Sequence, residues 1–234
     1  MTDIEFKEEL FMNEEDMEAP IYRIFPIHRF LEILKRKEMV LVKPELWEDP
    51  FENPLNYCKF VRKSDKAPIN AEMLYGQCWS LNEESDAMWR IYSPNNNGVM
   101  VSTTPRKLLN SLKQATQSND FLCFIGKVQY VNAKDLLNEI SPLAIASSEI
   151  AKTLLYKRAA FSHEREIRLI YFSCKNNEDR IFKFHIEPNN VFNAVLFDSR
   201  LTQELQESYT AYMLSLGYNF EISRSTLYDL PDNI

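Results

Sequence analysis

The chain has 234 residues, 45% of them hydrophobic and 26% charged, with a formal net charge of −7. That composition describes a packed globular protein of one domain and excludes a disordered chain. The acidic balance disfavours a non-specific grip on nucleic acid, which needs clustered Lys and Arg. No stretch approaches the roughly 18 apolar residues of a membrane span, and the N-terminus lacks a signal-peptide pattern, so a cytoplasmic location is expected. Cys58, Cys78, Cys123 and Cys174 form no C-x-x-C pair and read as free thiols in apolar surroundings.

Residues 1–19 are rich in Glu and Asp and read as a loosely attached acidic arm or short helix, leaving 20–234 as the domain. Residues 21–25 form a β-type run. Ile27, Phe30, Leu31 and Leu34 then recur at helical spacing, and 39–42 returns to strand. Pro44, Pro50 and Pro54 force an ordered loop in which Asp49 initiates a turn and Glu52 lines a pocket, caps or pairs with a cation; 62–70 read as a polar loop. A buried strand follows at 75–81, and Ser85 or Asp86 caps a short helix whose Met88, Trp89 and Tyr92 face inward. Asn95 to Gly98 is a turn before a strand at 99–103. The pattern then predicts a helix at 106–118, a strand at 121–131, mostly helix over 134–160 with a break near Pro142, and a strand at 167–172. Strands at 180–186 and 191–197, a helix at 202–216 stopped by Gly217, and a closing strand at 220–222 complete it. This irregular mixture predicts an α+β fold, a bent mixed sheet flanked by helices, rather than a doubly wound one.

Several chemistries are missing. There is no G-x-G-x-x-G, P-loop or nucleophile elbow, only Gly76, Gly98, Gly126 and Gly217 are present, and His28, His163 and His185 lack metal-ligand spacing. No metal is expected. The sharpest local feature is Glu164-Arg165-Glu166-Ile167-Arg168 running into an apolar strand. On a strand, i and i+2 share a face, so Glu164 and Glu166 would stand side by side. Such a pair either stabilises an oxocarbenium-like transition state and orients a nucleophile, or forms cross-paired charges on an exposed face. Arg168 would hold Glu166 ionised by opposite charge. Lys157 and Arg158 reach a pyrophosphate or solvate a helix face. Trp47, Phe51, Trp79, Trp89 and Tyr92 are core and wall aromatics or stacking platforms.

In order, Arg23 in Tyr22-Arg23-Ile24-Phe25, Ser80 in Cys78-Trp79-Ser80-Leu81 ahead of a helix and the Gly98-Val99-Met100-Val101 strand, and Glu164-Arg165-Glu166 resemble the arginine, serine-motif and E-x-E elements of the ADP-ribosyltransferase superfamily. Ser102-Thr103-Thr104 is a rival for the serine motif. The resemblance implies NAD as co-substrate, held by Arg23, Ser80, Trp79, Trp89, Tyr92, Lys157 and Arg168. Glu166 and Glu164 would be catalytic, and the acceptor an unknown protein or nucleic acid. The fuller succession, adding Trp47-Glu48-Asp49-Pro50-Phe51-Glu52, Met88-Trp89-Arg90-Ile91-Tyr92 and Lys157, is similar to a bacterial domain-of-unknown-function family that includes AbiGi-type abortive-infection proteins. Membership implies a toxin or phage-defence setting. NAD hydrolysis and a non-catalytic sensing module are the alternatives.

Overall fold

The computed structural model describes residues 10–53, 60–61, 68–69, 73–116, 121–132, 134–135, 147–173 and 178–230. Residues 1–9 of the expected arm, most of the expected loop at 62–70, the expected helix break near Pro142, and Cys58 and Cys174 lie outside the described residues. In chain order come β1 (Leu10–Phe11), β2 (Ile21–Pro26), helix α1 (Ile27–Arg36), β3 (Glu38–Val42), β4 (Phe60–Val61), β5 (Pro68–Ile69), β6 (Leu74–Ser80), helix α2 (Asp86–Tyr92) and β7 (Gly98–Thr103). Helix α3 (Pro105–Thr116), β8 (Phe121–Lys127), β9 (Gln129–Val131), helix α4 (Ser147–Thr153), β10 (Tyr156–Arg158) and β11 (Glu166–Ser173) follow. The chain closes with β12 (Ile181–His185), helix α5 (Pro188–Val191), β13 (Ala194–Phe197), helix α6 (Gln203–Ser215) and β14 (Glu221–Arg224).

Ten strands form one mixed sheet with the order β1-β8-β11-β6-β2-β7-β13-β14, and β3, itself paired with β12, joins at β6. The β11 sequence Glu-Ile-Arg-Leu-Ile-Tyr-Phe-Ser is buried along its whole length, as befits a central strand covered on both faces. It pairs with β6 in continuous antiparallel register, from Glu166 opposite Ser80 to Phe172 opposite Leu74. The other edge of β6 is divided. Only Ser80 meets β2, opposite Tyr22, and only Gly76 meets β3, opposite Val42. The sheet therefore forks on that side of β6, and the unpaired stretch between the prongs must find other hydrogen-bond partners. Gln77 Nε2 donates to Val40 O at 3.0 Å and Arg23 Nη1 donates to Cys78 O at 2.6 Å.

The main core lies under the β2, β7 and β13 side, where Ile27, Phe30, Ile33 and Leu34 of α1 pack with Trp79, Leu169, Phe192 and Phe197. The expected α+β architecture is what the structure shows. Local departures have local causes. Residues 10–18 are no loose arm: β1 pairs with β8, Met17 is fully buried, and Glu14 and Glu18 both bind Arg106. The expected strand at 121–131 is interrupted at Val128, whose N–H bonds Glu166 O. In the expected helix over 134–160, Thr153 ends α4 and residues 156–158 are strand, paired in parallel with β9. Residues 188–191 form a helical turn begun by Pro188, so the strand expected at 191–197 starts at Ala194.

Candidate active site

Register builds the site. Directly opposed residues on antiparallel strands share a face, so Ser80 and Glu166, and beside them Cys78 and Arg168, form one polar patch across β6 and β11. Gly76 continues that face and leaves room for Trp47: a Cβ there would meet the indole at 2.6 Å. The Trp47 ring in turn lies 4.4 Å from the Arg168 guanidinium.

Above the patch lies a buried ion cluster. Glu166 receives Lys157 Nζ on Oε1 at 2.5 Å and Arg168 Nε on Oε2 at 2.7 Å. Glu164 receives Lys157 Nζ on one oxygen and the Tyr92 hydroxyl on the other, the latter at 3.0 Å. Glu52 spans both cations, 3.3 Å from Lys157 and in direct contact with Arg168. Burial would push Glu166 up, but the Arg168 charge, the Glu164 contact and Lys157 outweigh it and hold its carboxyl well below the usual carboxylate range. Burial, with the neighbouring Glu166, pushes Glu164 up instead. Burial also pushes the Cys78 thiol up to about 12, so it stays protonated and weakly nucleophilic.

A cleft of about 800 Å³ opens beside the cluster, lined by Trp47, Asp49, Glu52, Tyr92, Glu164 and Glu166 among others. It adjoins a smaller hollow of about 100 Å³ walled by Tyr22, Ile24, Met88, Tyr92, Ser80 and Glu166. Arg23 borders both and reaches the fork of the sheet. Its guanidinium makes a single hydrogen bond, to Cys78 O, and no ion pair among the described residues, although a guanidinium carries five donors. Burial lowers its pKa, opposed by Cys78, Tyr92 and Glu166. A half-buried cation without a carboxylate partner, facing a cavity, is an anion-binding arrangement.

The structure thus brings Arg23, Ser80, Glu164, Glu166 and Tyr92 to one cleft. Ser102 lines neither hollow; it pairs within the sheet with Tyr22 and Ala194. Glu164 departs from the expectation of two glutamates on one strand. It ends a 3-10 helix, Ala159–Glu164, and Arg165 turns through φ 45° before the strand begins at Glu166. Ser80 fixes that corner by donating to Glu164 O at 2.7 Å. Trp79 and Trp89, expected to hold a cofactor, are both buried, and Trp79 lines the smaller hollow. The Trp79 indole packs edge-on to Phe25 and donates to Gln77, and Trp89 is fully buried and donates to Glu84. Lys157 and Arg168, also expected to bind cofactor, are ion-paired with the cluster's carboxylates, and Lys157 lines the large cleft. Glu52 becomes a full member of the cluster. The signal was the Asp49-Pro50-Phe51-Glu52 turn, where Asp49 caps Phe51 N at 3.1 Å and receives Arg158 at 2.9 Å. Tyr130, whose hydroxyl accepts Glu166 N at 2.8 Å, had no sequence signal.

Among the described residues no group of His, Cys, Asp and Glu could hold a metal ion, and no helix is long and apolar enough to cross a membrane.

Residues 88–169 match the family described as protein of unknown function (DUF2971). The fold is similar to that of DarT. The structure of Thermus sp. 2.9 DarT in complex with NAD+ is 9% identical with a TM-score of 0.41, over 89% of this chain and 96% of that one. Thermus sp. 2.9 DarT in complex with ADP-ribosylated ssDNA is likewise 9% identical, with a TM-score of 0.42 over 89% and 94%. No curated protein matches the chain.

Proposed function

We propose that this chain is an NAD-using ADP-ribosyltransferase acting on a macromolecular acceptor, in the setting of a bacterial toxin or phage-defence effector. One observation carries the reading: Arg23, a half-buried guanidinium free of any carboxylate partner among the described residues, borders the same hollow as Ser80 and the ionised Glu166. Arg23 would take the diphosphate by charge-assisted hydrogen bonds. The small hollow, walled by Tyr22, Ile24, Met88 and Tyr92, suits a flat aromatic amide, and the large cleft falls within the usual range of ligand sites. In the reaction the bond between ribose C1′ and the nicotinamide nitrogen breaks, and its electron pair leaves with nicotinamide. Positive charge develops on the ribose, where the Glu166 carboxylate stabilises it. A nucleophile then bonds to C1′ and loses its proton; Glu164, with Tyr92 on its other oxygen, orients that nucleophile. The phage-defence setting rests on the sequence resemblance alone.

The test is incubation with NAD labelled in its adenylate half, with bacterial or phage lysate, while free nicotinamide is measured. Transfer leaves label on a macromolecule, and hydrolysis leaves only free ADP-ribose. Glu166→Gln is expected to slow nicotinamide release roughly a thousandfold with the fold retained. Binding of NAD with no nicotinamide release from the wild type would overturn the enzymatic reading in favour of a sensing module.

A further inference from the structure

We propose that Lys157 is a positioning residue of this site: its ammonium clamps Glu164 and Glu166 together, so that the geometry for nicotinamide release depends on this one cation. The inference rests on the NAD reading of the cleft. It begins from a conflict. Glu164 arrives on a 3-10 helix and Glu166 on a strand, and two carboxylates brought this close repel unless a proton or a cation sits between them.

Lys157 is that cation. It projects from β10 and its side chain is only 7% exposed. Its Nζ hydrogen-bonds Glu164 and Glu166, the latter at 2.5 Å, and lies 3.3 Å from Glu52, so one ammonium faces three carboxyl groups. The Phe161 ring, 4.7 Å from Nζ, covers it.

The charge balance sharpens the point. Glu52, Glu164 and Glu166 set three carboxyl groups against two directly paired cations, Lys157 and Arg168. Tyr92 from α2, Tyr130 from β9, Cys78 from β6 and Arg23 from β2 adjoin the cluster, and Glu48, Asp49, Arg158 and His163 line the same cleft, Arg158 paired with Asp49. Tyr130 is pushed up to about 12 by burial. Without Lys157, three carboxylates would confront Arg168 alone, and one would take a proton. Activity needs Glu166 ionised, so it is lost as pH falls through that carboxyl's pKa, which in the wild type lies well below the usual range.

The experiment follows the glutamate carboxyls of 13C-labelled protein by NMR, assigned with Glu52→Gln, Glu164→Gln and Glu166→Gln, alongside nicotinamide release against pH. In Lys157→Met the carboxyl titration and the acid limb of kcat should both move up by about one to three pH units, and kcat should fall roughly a hundredfold. Adding Glu52→Gln to Lys157→Met removes the surplus carboxylate and should return the acid limb towards wild type while kcat recovers only in part. Lys157→Arg keeps the charge and should hold the limb in place with reduced kcat. An unchanged titration and unchanged kcat in Lys157→Met, or, if that variant does not fold, wild-type kcat in Lys157→Arg, would overturn the role. A wild type that releases no nicotinamide, while its Lys157→Met titration shifts as expected, would sink the NAD reading and leave the charge role standing.

Discussion

Two buried ionic groups flank helix α2, and they behave differently. Beyond its C-terminus, Asp198 is fully buried and both its oxygens are satisfied: Oδ1 by Arg200 N and Nε at 3.0 and 2.9 Å, Oδ2 by Ser93 Oγ and Arg200 Nη2 at 2.7 and 2.6 Å. Arg200 spends its remaining reach on the Trp89 and Ser93 carbonyls, and Ser93 Oγ accepts Gly98 N. Charges there balance and the network ties α2 to β7 and β13. On the Tyr92 side, Glu52, Glu164 and Glu166 outnumber the Lys157 and Arg168 cations they pair with, and the three carboxyl groups line a cleft. Buried charge alone therefore does not mark chemistry. Imbalance beside an opening does, because there a ligand can alter what the protein leaves unsettled.

Substitutions can break that comparison. Asp198→Ala should have the largest effect and act on stability alone, costing about 1–3 kcal/mol by leaving the buried Ser93 hydroxyl and the Arg200 donors without their acceptor. Chemical denaturation would read it, and NAD affinity of the folded fraction should not move. Arg23→Ala should do the reverse. Losing a charge-assisted contact should weaken NAD binding by about tenfold to a hundredfold in calorimetry, with a small change in melting temperature. If instead it unfolds the protein and leaves affinity intact, Arg23 serves only to fill the fork at Cys78. Tyr92→Phe should have the smallest effect, a loss of less than about tenfold in transfer rate, since it removes one hydrogen bond to Glu164.

Much of this molecule was legible before its coordinates. Ser85 caps α2 through Met88 N, Gly217 sits at φ 83° just beyond α6, and β11 is buried as its apolar run requires. Arg23, Ser80 and Glu166 were legible through their residue types and order along the chain. What could not be read was non-local. In sequence Trp79 and Trp89 could be core and wall aromatics or stacking platforms, and only the fold shows what packs against each of them. Glu52 joins Arg168 across more than a hundred positions, a pairing that no local pattern encodes. Lys157 was misread because 152–158 has helical spacing, whereas the parallel edge of β9 draws residues 156–158 into strand.

Arg165, with its left-handed backbone, separates the two glutamates, and its placement recasts what the E-x-E spacing means. The intervening residue is a corner piece: it converts a helical approach into an extended exit within a single peptide, and the carboxylates converge because the path reverses between them. Inserting one residue at this bend would keep both acids in the sequence and send one of them out of the cleft. Glycine should serve there and valine should not, whatever charge is lost. The motif is then a specification of backbone curvature as much as of reagents.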